Sequence, residues 1–259
     1  MIHWFERCQV YKPRRAWVAQ ASALGRPFED VALTAEDGVR LHGWYFPAEA
    51  GAPRARLALL FCHGNKGNIS HRLRFVAAWL ELGVNVLAFD YRGFGRSEGR
   101  PDEEGTYRDA QAAWRWLRQK GFAPEHIVVL GKSLGGGVAA ELAVREPVGG
   151  LILQNTFTSI TDLGSELFPW LPVRKLHRIR YDTLAKLARI EAPVLVAHSP
   201  SDNLIGFHHG QRNFASVRSP KLFWRLRGTH TSTLEDGREE YLQGLAKFLD
   251  EYVIPARKQ

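Results

Sequence analysis

Short apolar runs alternate with longer helical patterns along most of the chain. The runs that predict strands are Val31–Leu33, Val39–Phe46, Leu57–Cys62, Val84–Phe89, His126–Leu130, Leu151–Gln154, Pro193–Ala197 and Lys221–Leu226. Helical patterns lie at about 70–82, 104–120, 134–145, 204–215 and 238–252. Most of the runs lack strict alternation with polar residues, which is typical of strands covered on both faces. This order predicts an α/β fold with right-handed crossovers and a mostly parallel, eight-stranded sheet flanked by helices.

The length of 259 residues suits one domain of this class. We expect residues 28–259 to form that domain, with a basic, aromatic leader at residues 1–27 before it. Residues 157–190 are the least regular stretch of the chain and carry several aromatic and basic side chains. These residues follow the end of a predicted strand, and ligands bind beyond the strand ends in open α/β sheets. We therefore expect this stretch to form a small cap rather than a second domain.

One strand runs directly into a glycine-flanked serine. After the strand at 126–130 come Gly131, Lys132, Ser133, Leu134 and Gly135, and then an alanine-rich helical pattern. In this strand–G-x-S-x-G–helix arrangement, the serine stands on a sharp turn with its hydroxyl exposed. Side chains at the flanking glycines would clash where the turn brings strand and helix together. Ser133 is therefore the candidate nucleophile; the alternative is a tight turn with no chemistry.

The same pattern occurs a second time, around Ser97, between Gly95 and Gly99. Arg100 and Pro101 follow at once, and such a glycine–proline cluster prevents a helix from starting there. Ser97 remains an alternative nucleophile, but it lacks the context that the chemistry requires.

An acidic residue and a histidine follow the last two predicted strands. Asp202 comes after the strand at 193–197, and His230 comes after the strand at 221–226. A serine hydroxyl is a weak nucleophile near neutral pH, so a histidine must take its proton and a carboxylate must orient that histidine. The order Ser133, Asp202, His230 is the chain order that accompanies a serine on a strand–turn–helix.

Other residues could fill the same roles. Asp162 is an alternative acid, and His198, His208 and His209 are alternative bases. No H-x-x-x-H pair or carboxylate cluster has the spacing of metal ligands, so we expect no metal in the site.

Acyl transfer also needs hydrogen-bond donors for the oxyanion. Residues 63–68, which read HGNKGN, follow the strand at 57–62. The loop after this strand supplies one backbone N–H of an oxyanion hole, and the residue after the nucleophile supplies the other. We assign these roles to Asn65 and Leu134, and we expect His63 to brace the loop.

Four apolar side chains are expected near the substrate: Phe94, Phe157, Trp170 and Leu204. Phe94 lies in a glycine-framed loop, where bracing of the loop is the alternative role. Phe157 and Trp170 belong to the predicted cap, where aromatic rings either line an acyl pocket or pack the cap onto the body.

Five motifs in this order resemble those of α/β-hydrolases, most closely a group of small serine hydrolases. They are HGNKGN at 63–68, DYRGFGRS at 90–97, GKSLG at 131–135, HSPSD at 198–202 and GTH at 228–230. The resemblance spans about residues 28–252 and implies an α/β-hydrolase fold and an acyl-enzyme mechanism without a cofactor. Similar proteins include esterases, thioesterases that remove palmitoyl groups and proteins grouped with serine peptidases. Ser199 departs from the pattern, because these proteins usually carry glycine there.

Charge adds one further alternative. The net charge is +8 and the sequence pI is about 9.7. No nucleic-acid recognition motif accompanies this charge, so we expect no nucleic-acid partner. The charge is either a solvated basic surface or a means of peripheral contact with an anionic membrane. The second interpretation depends on Trp4, Phe5, Arg14, Arg15, Arg174, Lys175, Arg178 and Arg180.

Cysteine usage and hydropathy predict a cytoplasmic protein. Cys8 and Cys62 are the only cysteines, and a disulfide between them is not expected, which fits a reducing compartment. No apolar run reaches the ~18 residues of a membrane span. The first ten residues lack the apolar core and cleavage site of a signal peptide.

The sequence therefore predicts a serine hydrolase that acts on a small-molecule or acyl substrate, either a carboxylic ester or a thioester. Two alternatives stay open. One is a peptidase-like serine hydrolase, and the other is a binding protein that keeps the fold without turnover.

Overall fold

The computed structural model describes residues 2–254, although the side chains of residues 2–5 and of Lys175 lie outside the described part. The strands of the main sheet are β1 Glu29–Thr34, β2 Arg40–Phe46, β3 Ala58–Cys62, β4 Asn85–Phe89, β5 Ile127–Lys132, β6 Gly150–Gln154, β7 Val194–His198 and β8 Lys221–Arg225. The α-helices are α1 Ile2–Val10, α2 Leu73–Leu80, α3 Glu103–Gln119, α4 Leu134–Arg145, α5 Ile160–Leu167, α6 Val173–Leu176, α7 Thr183–Leu187, α8 Phe207–Ser216, α9 Thr233–Asp236 and α10 Arg238–Phe248.

The strands follow the order β8-β7-β6-β5-β3-β4-β2-β1 across the sheet. All neighbouring strands are parallel except at one edge, where β2 runs antiparallel to both β1 and β4. The predicted eight-stranded, mostly parallel α/β sheet is confirmed. Because the parallel strands share one direction, the loops after β3, β5, β6, β7 and β8 emerge at the same edge.

Strands β3 to β7 are buried along their whole length. This explains why their sequences are continuous apolar runs: helices cover both faces of the sheet. One apolar layer includes side chains of α3 and α4, and the other includes side chains of α2 and α10. Each fully buried large apolar side chain contributes about 1.5–3 kcal/mol, so these two layers hold the central strands rigidly.

The predicted cap at residues 157–190 consists of three short helices, α5 to α7. It connects β6 to β7 and contributes Ile160, Tyr181 and Leu187 to one of the two apolar layers. The side chains of Ser159 and Asp182 cap α5 and α7, which explains why helices begin there despite the irregular sequence.

The leader packs onto the domain. Val10 and Tyr11 are buried in one apolar layer, and Glu6, 3% exposed, accepts hydrogen bonds from the backbone N–H groups of Arg178 and Ile179 in the cap. The Tyr11 hydroxyl lies 2.9 Å from the hydroxyl of Tyr181, also in the cap. Residues of the predicted leader therefore contact both the core and the cap.

Within residues 2–254, no helix combines the length and apolar character needed to cross a membrane. Cys8 is exposed, Cys62 is buried, and both are free thiols.

Candidate active site

Ser133 stands on a strained turn between β5 and α4. Its backbone has φ 55° and ψ −119°, a region that non-glycine residues rarely adopt. Such a conformation costs on the order of 1–3 kcal/mol and persists only where the surroundings impose it. The surroundings impose it here, because the backbone on either side of Ser133 is packed so closely that only glycine fits. A Cβ on Gly135 would lie 1.9 Å from the Cys62 carbonyl oxygen, and a Cβ on Gly131 would lie 2.3 Å from the Gly135 oxygen.

Asp202 and His230 are in direct contact. Asp202 Oδ2 lies 2.8 Å from His230 Nδ1, and Asp202 Oδ1 accepts the backbone N–H groups of Leu204 and Ile205. Burial raises the pKa of the Asp202 carboxyl, but the hydrogen bond from His230 and those from the backbone outweigh it and leave the pKa below its usual value. The ionised carboxylate can only accept, so Nδ1 carries the proton and Nε2 is left as a base.

Side-chain hydrogen bonds hold the segment that carries Asp202, which we call the acid loop (residues 199–206). Asn155, after β6, accepts the Ser199 N–H, and the Ser199 hydroxyl donates to the carbonyl of Gly228 in the segment before His230. The serine that departs from the expected glycine therefore links the acid to the base. Helix α8 begins at Phe207 rather than at 204, and residues 204 and 205 donate their N–H groups to Asp202.

Two contacts bring these segments to the nucleophile turn (residues 131–135). The Lys132 ammonium donates to the backbone carbonyl of His230 at 2.8 Å. From the other side, a Cβ on Gly64 would lie 3.6 Å from Ser133 Cβ. Ser133 and His230 are each 8% exposed. The segments that carry Ser133, Asp202 and His230 thus lie at the same edge of the sheet, where the loops after β3, β5, β7 and β8 emerge.

The two assigned oxyanion donors also lie at this edge. Leu134 is the first residue of α4, and Asn65 belongs to the oxyanion loop (residues 63–68) after β3. The first N–H groups of a helix have no intrahelical partner, so the Leu134 N–H is available to a ligand. The Lys12 N–H donates to the Asn65 carbonyl at 2.8 Å.

A strap from the leader (residues 11–16) ties down the oxyanion loop. Residues 12–13 pair in parallel with residues 66–67 as a short two-stranded sheet. The Asn68 amide donates to the carbonyls of Arg14 and Ala16 at 2.9 and 2.8 Å. The leader thus fixes the loop that carries one candidate oxyanion donor, which the sequence did not indicate.

His63 is fully buried beneath the oxyanion loop. Its Nδ1 donates to the Gly64 carbonyl at 2.7 Å, and burial lowers the pKa of His63 to about 3. Burial also raises the pKa of Asp90, whose Oδ1 lies 3.5 Å from His63 Nε2, to about 8. Tyr91 donates from its hydroxyl to the His63 carbonyl at 3.1 Å. These contacts are those of a brace, the role that the sequence indicates for His63.

The alternative residues are engaged elsewhere. Ser97 is fully buried, donates to the Asp90 carbonyl at 2.6 Å and accepts the His42 N–H at 3.0 Å. Asp162 is bound to Arg174 and to the Thr158 hydroxyl. His198 instead lies beneath the acid loop: its Nε2 is 2.9 Å from the Ile205 carbonyl and 3.8 Å from Asp202 Oδ2, farther than the 2.8 Å that separates Asp202 from His230.

His208 and His209 both contact Glu166 across the junction between α5 and α8, at 2.9 and 3.1 Å. These three residues are metal-ligand types with their ligand atoms within 4.8 Å of one another. However, His209 Nδ1 accepts the backbone N–H of Thr158 at 3.1 Å, so the proton of neutral His209 lies on Nε2, which points at Glu166. The cluster is therefore a hydrogen-bonded clamp between cap and body.

The four residues expected to contact substrate divide into two pairs. Phe94 is fully buried and packs edge-on against His63, and Phe157 is 1% exposed within the core. Neither ring is accessible, so the prediction that they contact substrate is corrected to a packing role. Trp170 and Leu204 are 77% and 43% exposed, in the cap and in the acid loop respectively. Only this second pair is available to a substrate.

The strap can be tested with one matched pair of variants. Lys12→Pro removes the N–H that holds the Asn65 carbonyl, whereas Lys12→Ala keeps it. We expect Lys12→Pro to lower kcat roughly tenfold, because small misplacements near the reacting atoms cost up to about 10²-fold. Lys12→Ala should match the unmodified protein. Steady-state kinetics and a melting curve of each variant check this, and equal kcat values for the two variants would contradict it.

Comparison with known proteins places this geometry in context. Residues 58–175 match a family model described as alpha/beta hydrolase fold. The chain is 38% identical over 252 residues to an uncharacterized protein of Mycobacterium tuberculosis, covering 96% of this chain and 89% of the relative. It is 34% identical to the alpha/beta hydrolase domain-containing protein WAV2 of Arabidopsis thaliana, covering 98% of this chain and 91% of that protein.

Among solved structures, an esterase of Pyrococcus furiosus is similar with a TM-score of 0.74. The match covers 94% of this chain and 97% of the esterase at 21% sequence identity. At that identity the likeness concerns the fold.

Proposed function

Because the chain belongs to the α/β-hydrolase family, we propose that it is a serine hydrolase that cleaves carboxylic esters or thioesters through an acyl-enzyme on Ser133. The observation that carries the proposal is the contact between Asp202 and His230, held against the nucleophile turn by the Lys132 hydrogen bond. A protein that kept the fold only for binding has no need of a buried carboxylate aligned on a histidine beside a strained serine.

Each site residue has one role in the proposed reaction. His230 Nε2 takes the proton of the Ser133 hydroxyl as its oxygen attacks the carbonyl carbon, and Asp202 stabilises the imidazolium that forms. The backbone N–H groups of Leu134 and Asn65 donate to the oxyanion. As the tetrahedral intermediate collapses, His230 returns the proton to the leaving alcohol or thiol. Water then attacks the acyl-enzyme by the same steps and releases the acid.

Covalent labelling tests the mechanism. A fluorophosphonate should label the protein once, at Ser133, and the label should be absent from Ser133→Ala. A binding protein without a reactive serine would take up no label. A turnover series of p-nitrophenyl esters from acetate to palmitate, with one thioester and one peptide beside it, then assigns the leaving group and acyl length. Turnover of the peptide alone would favour the peptidase-like alternative.

The mechanism needs no metal ion. We expect EDTA to leave ester turnover unchanged. The His230–Asp202 pair supplies the base that activates Ser133, so the proposed reaction does not depend on a metal-bound hydroxide as nucleophile. Loss of turnover in EDTA and its return with zinc would contradict this part of the proposal.

Peripheral membrane contact remains a separate prediction. Arg174, Arg178 and Arg180 are exposed in the cap, as is Trp170, although Arg174 also pairs with Asp162 at 3.1 Å. The side chains of Trp4, Phe5 and Lys175, which the hypothesis also invokes, lie outside the described residues. Each basic residue near an anionic bilayer contributes about 1 kcal/mol of binding energy.

Vesicle sedimentation tests this contact. Binding should require anionic lipid, weaken with added salt and fall when Arg174, Lys175, Arg178 and Arg180 are replaced by alanine. Equal binding to neutral and anionic vesicles, or none to either, would contradict it.

A further inference from the structure

Lys132 is a buried lysine next to the candidate nucleophile. It is the last residue of β5 and is 6% exposed. Its ammonium group donates to the main-chain carbonyl of His230 at 2.8 Å and lies 5.5 Å from the ring centroid of Phe75. One residue therefore joins the nucleophile turn to the segment that carries the candidate base.

A lysine in this position is costly for the fold. Burial, with a further contribution from Arg72, lowers the pKa of Lys132 from its usual value of 10.5 to about 7. Replacing a buried charge by an apolar side chain of similar volume is often neutral or stabilising. An apolar residue here would therefore serve the core at least as well, and the lysine calls for a reason other than stability.

We propose that Lys132 is a positioning residue that fixes the general base relative to the nucleophile by holding the main chain of His230. The proposal rests on the serine-hydrolase function proposed above. Asp202 orients the imidazole through Nδ1, whereas the Lys132 ammonium holds the main-chain carbonyl of the same residue. Because Lys132 and Ser133 are consecutive, the hydrogen bond ties the base to the same turn that carries the nucleophile.

The other contact to the His230 backbone is longer. The Asn203 side chain accepts the His230 N–H at 3.4 Å, compared with 2.8 Å for the Lys132 contact. Asn203 belongs to the acid loop, whereas Lys132 belongs to the nucleophile turn. Among the described hydrogen bonds to the His230 main chain, the Lys132 contact is thus the one that comes from the nucleophile turn.

The charge of Lys132 also gives the arrangement a pH dependence. The charged groups that act on it are Arg72 and Arg74, which disfavour the ammonium, and Asp202, which favours it. Because the native ammonium loses its proton near pH 7, the charge on the side chain that holds the His230 carbonyl changes across neutral pH.

The test compares Lys132→Met, Lys132→Arg and a matched control, Lys221→Met. Lys221 donates from its ammonium to the carbonyls of Phe214 and Val217 and contacts the Phe214 ring, but it lies on β8 away from the site. It therefore loses the same types of contact as Lys132 when replaced by methionine.

We expect Lys132→Met to lower kcat about 10- to 100-fold with KM within about twofold, the loss that follows from a base held about 1 Å out of place. Lys132→Arg, which keeps a donor and the charge, should recover most of kcat. Lys221→Met should keep kcat.

Stability provides a readout that separates positioning from folding. Unfolded lysine keeps its proton to about pH 10.5, whereas the native ammonium loses it near pH 7, so the stability of the unmodified protein rises across that window. Lys132→Met should therefore melt at an equal or higher temperature than the unmodified protein at pH 7, and its advantage should shrink toward pH 10.

The outcomes are distinct. If the unmodified protein takes no fluorophosphonate label, the serine-hydrolase function fails. If it is labelled, but Lys132→Met keeps full kcat, or loses kcat only in proportion to a lower melting temperature, the positioning role is overturned. A fall in kcat with stability retained, reversed by arginine, supports it.

Discussion

Ser133→Ala is expected to abolish ester turnover, lowering kcat by on the order of 10⁶-fold, the loss that follows removal of the serine from a triad hydrolase. The substitution deletes one hydroxyl and leaves the N–H that Ser133 donates to the Gln154 carbonyl. The strained backbone at φ 55° is no harder for alanine than for serine. The melting temperature should therefore stay unchanged while turnover of p-nitrophenyl acetate disappears.

Ser97→Ala provides the matched control, because Ser97 is the other serine in a G-x-S-x-G sequence. Its hydroxyl bonds the Asp90 carbonyl and the His42 N–H inside the protein. Loss of these bonds should cost about 1–3 kcal/mol of unfolding free energy and leave kcat nearly intact. The two variants thus have opposite signatures, and activity that survives Ser133→Ala but not Ser97→Ala would refute the assignment.

The second large expected effect is the loss of kcat when His230 or Asp202 is replaced. His230→Ala should approach the loss caused by Ser133→Ala, because triad members act as a unit. Asp202→Asn should lower kcat by about 10⁴-fold, since an amide in place of the carboxylate no longer holds the imidazole in the required tautomer. Both losses should appear in kcat for an activated ester.

Two substitutions control for general damage. His208→Ala removes an exposed histidine whose partner is Glu166, and Asp162→Asn alters an acid bound to Arg174. Each should lower the free energy of unfolding by at most about 1 kcal/mol and leave kcat within a few-fold. If Asp162→Asn were as damaging as Asp202→Asn, the acid would have to be reassigned.

The sheet and the candidate triad could be predicted because each leaves a local signature. A strand buried on both faces is a continuous apolar run, and the turn at Ser133 needs glycines at fixed positions on either side. Asp202 and His230 could be named because each lies in the segment after one of the last two predicted strands, although β8, unlike β7, is only partly buried.

The features that escaped prediction depend on contacts between distant residues. Nothing in the residues around Lys132 indicates that its ammonium reaches the carbonyl of His230, 98 residues away. The hydroxyl of Ser199 bonds a carbonyl 29 residues further on. Phe94 was misjudged because a glycine-framed aromatic has the same sequence whether it faces a pocket or packs against His63.

The packing of the leader also escaped prediction. Their basic and aromatic composition predicts a surface role, yet Tyr11 is buried against Tyr181 and the Lys12 N–H holds the oxyanion loop. A short segment without periodicity carries no sign of the surface on which it packs. The contact becomes visible only once residues from the first and last thirds of the chain are placed together.

The strap has a consequence for biosynthesis. Tyr11 meets Tyr181 across 170 residues of chain. At about 5–20 residues per second, a ribosome needs roughly 8–35 seconds to add that length. During this interval the leader has been made but its cap partner has not, so Tyr11 and the apolar side chains beside it stay exposed to chaperones and proteases. A segment that is translated early thus reaches its final contacts late.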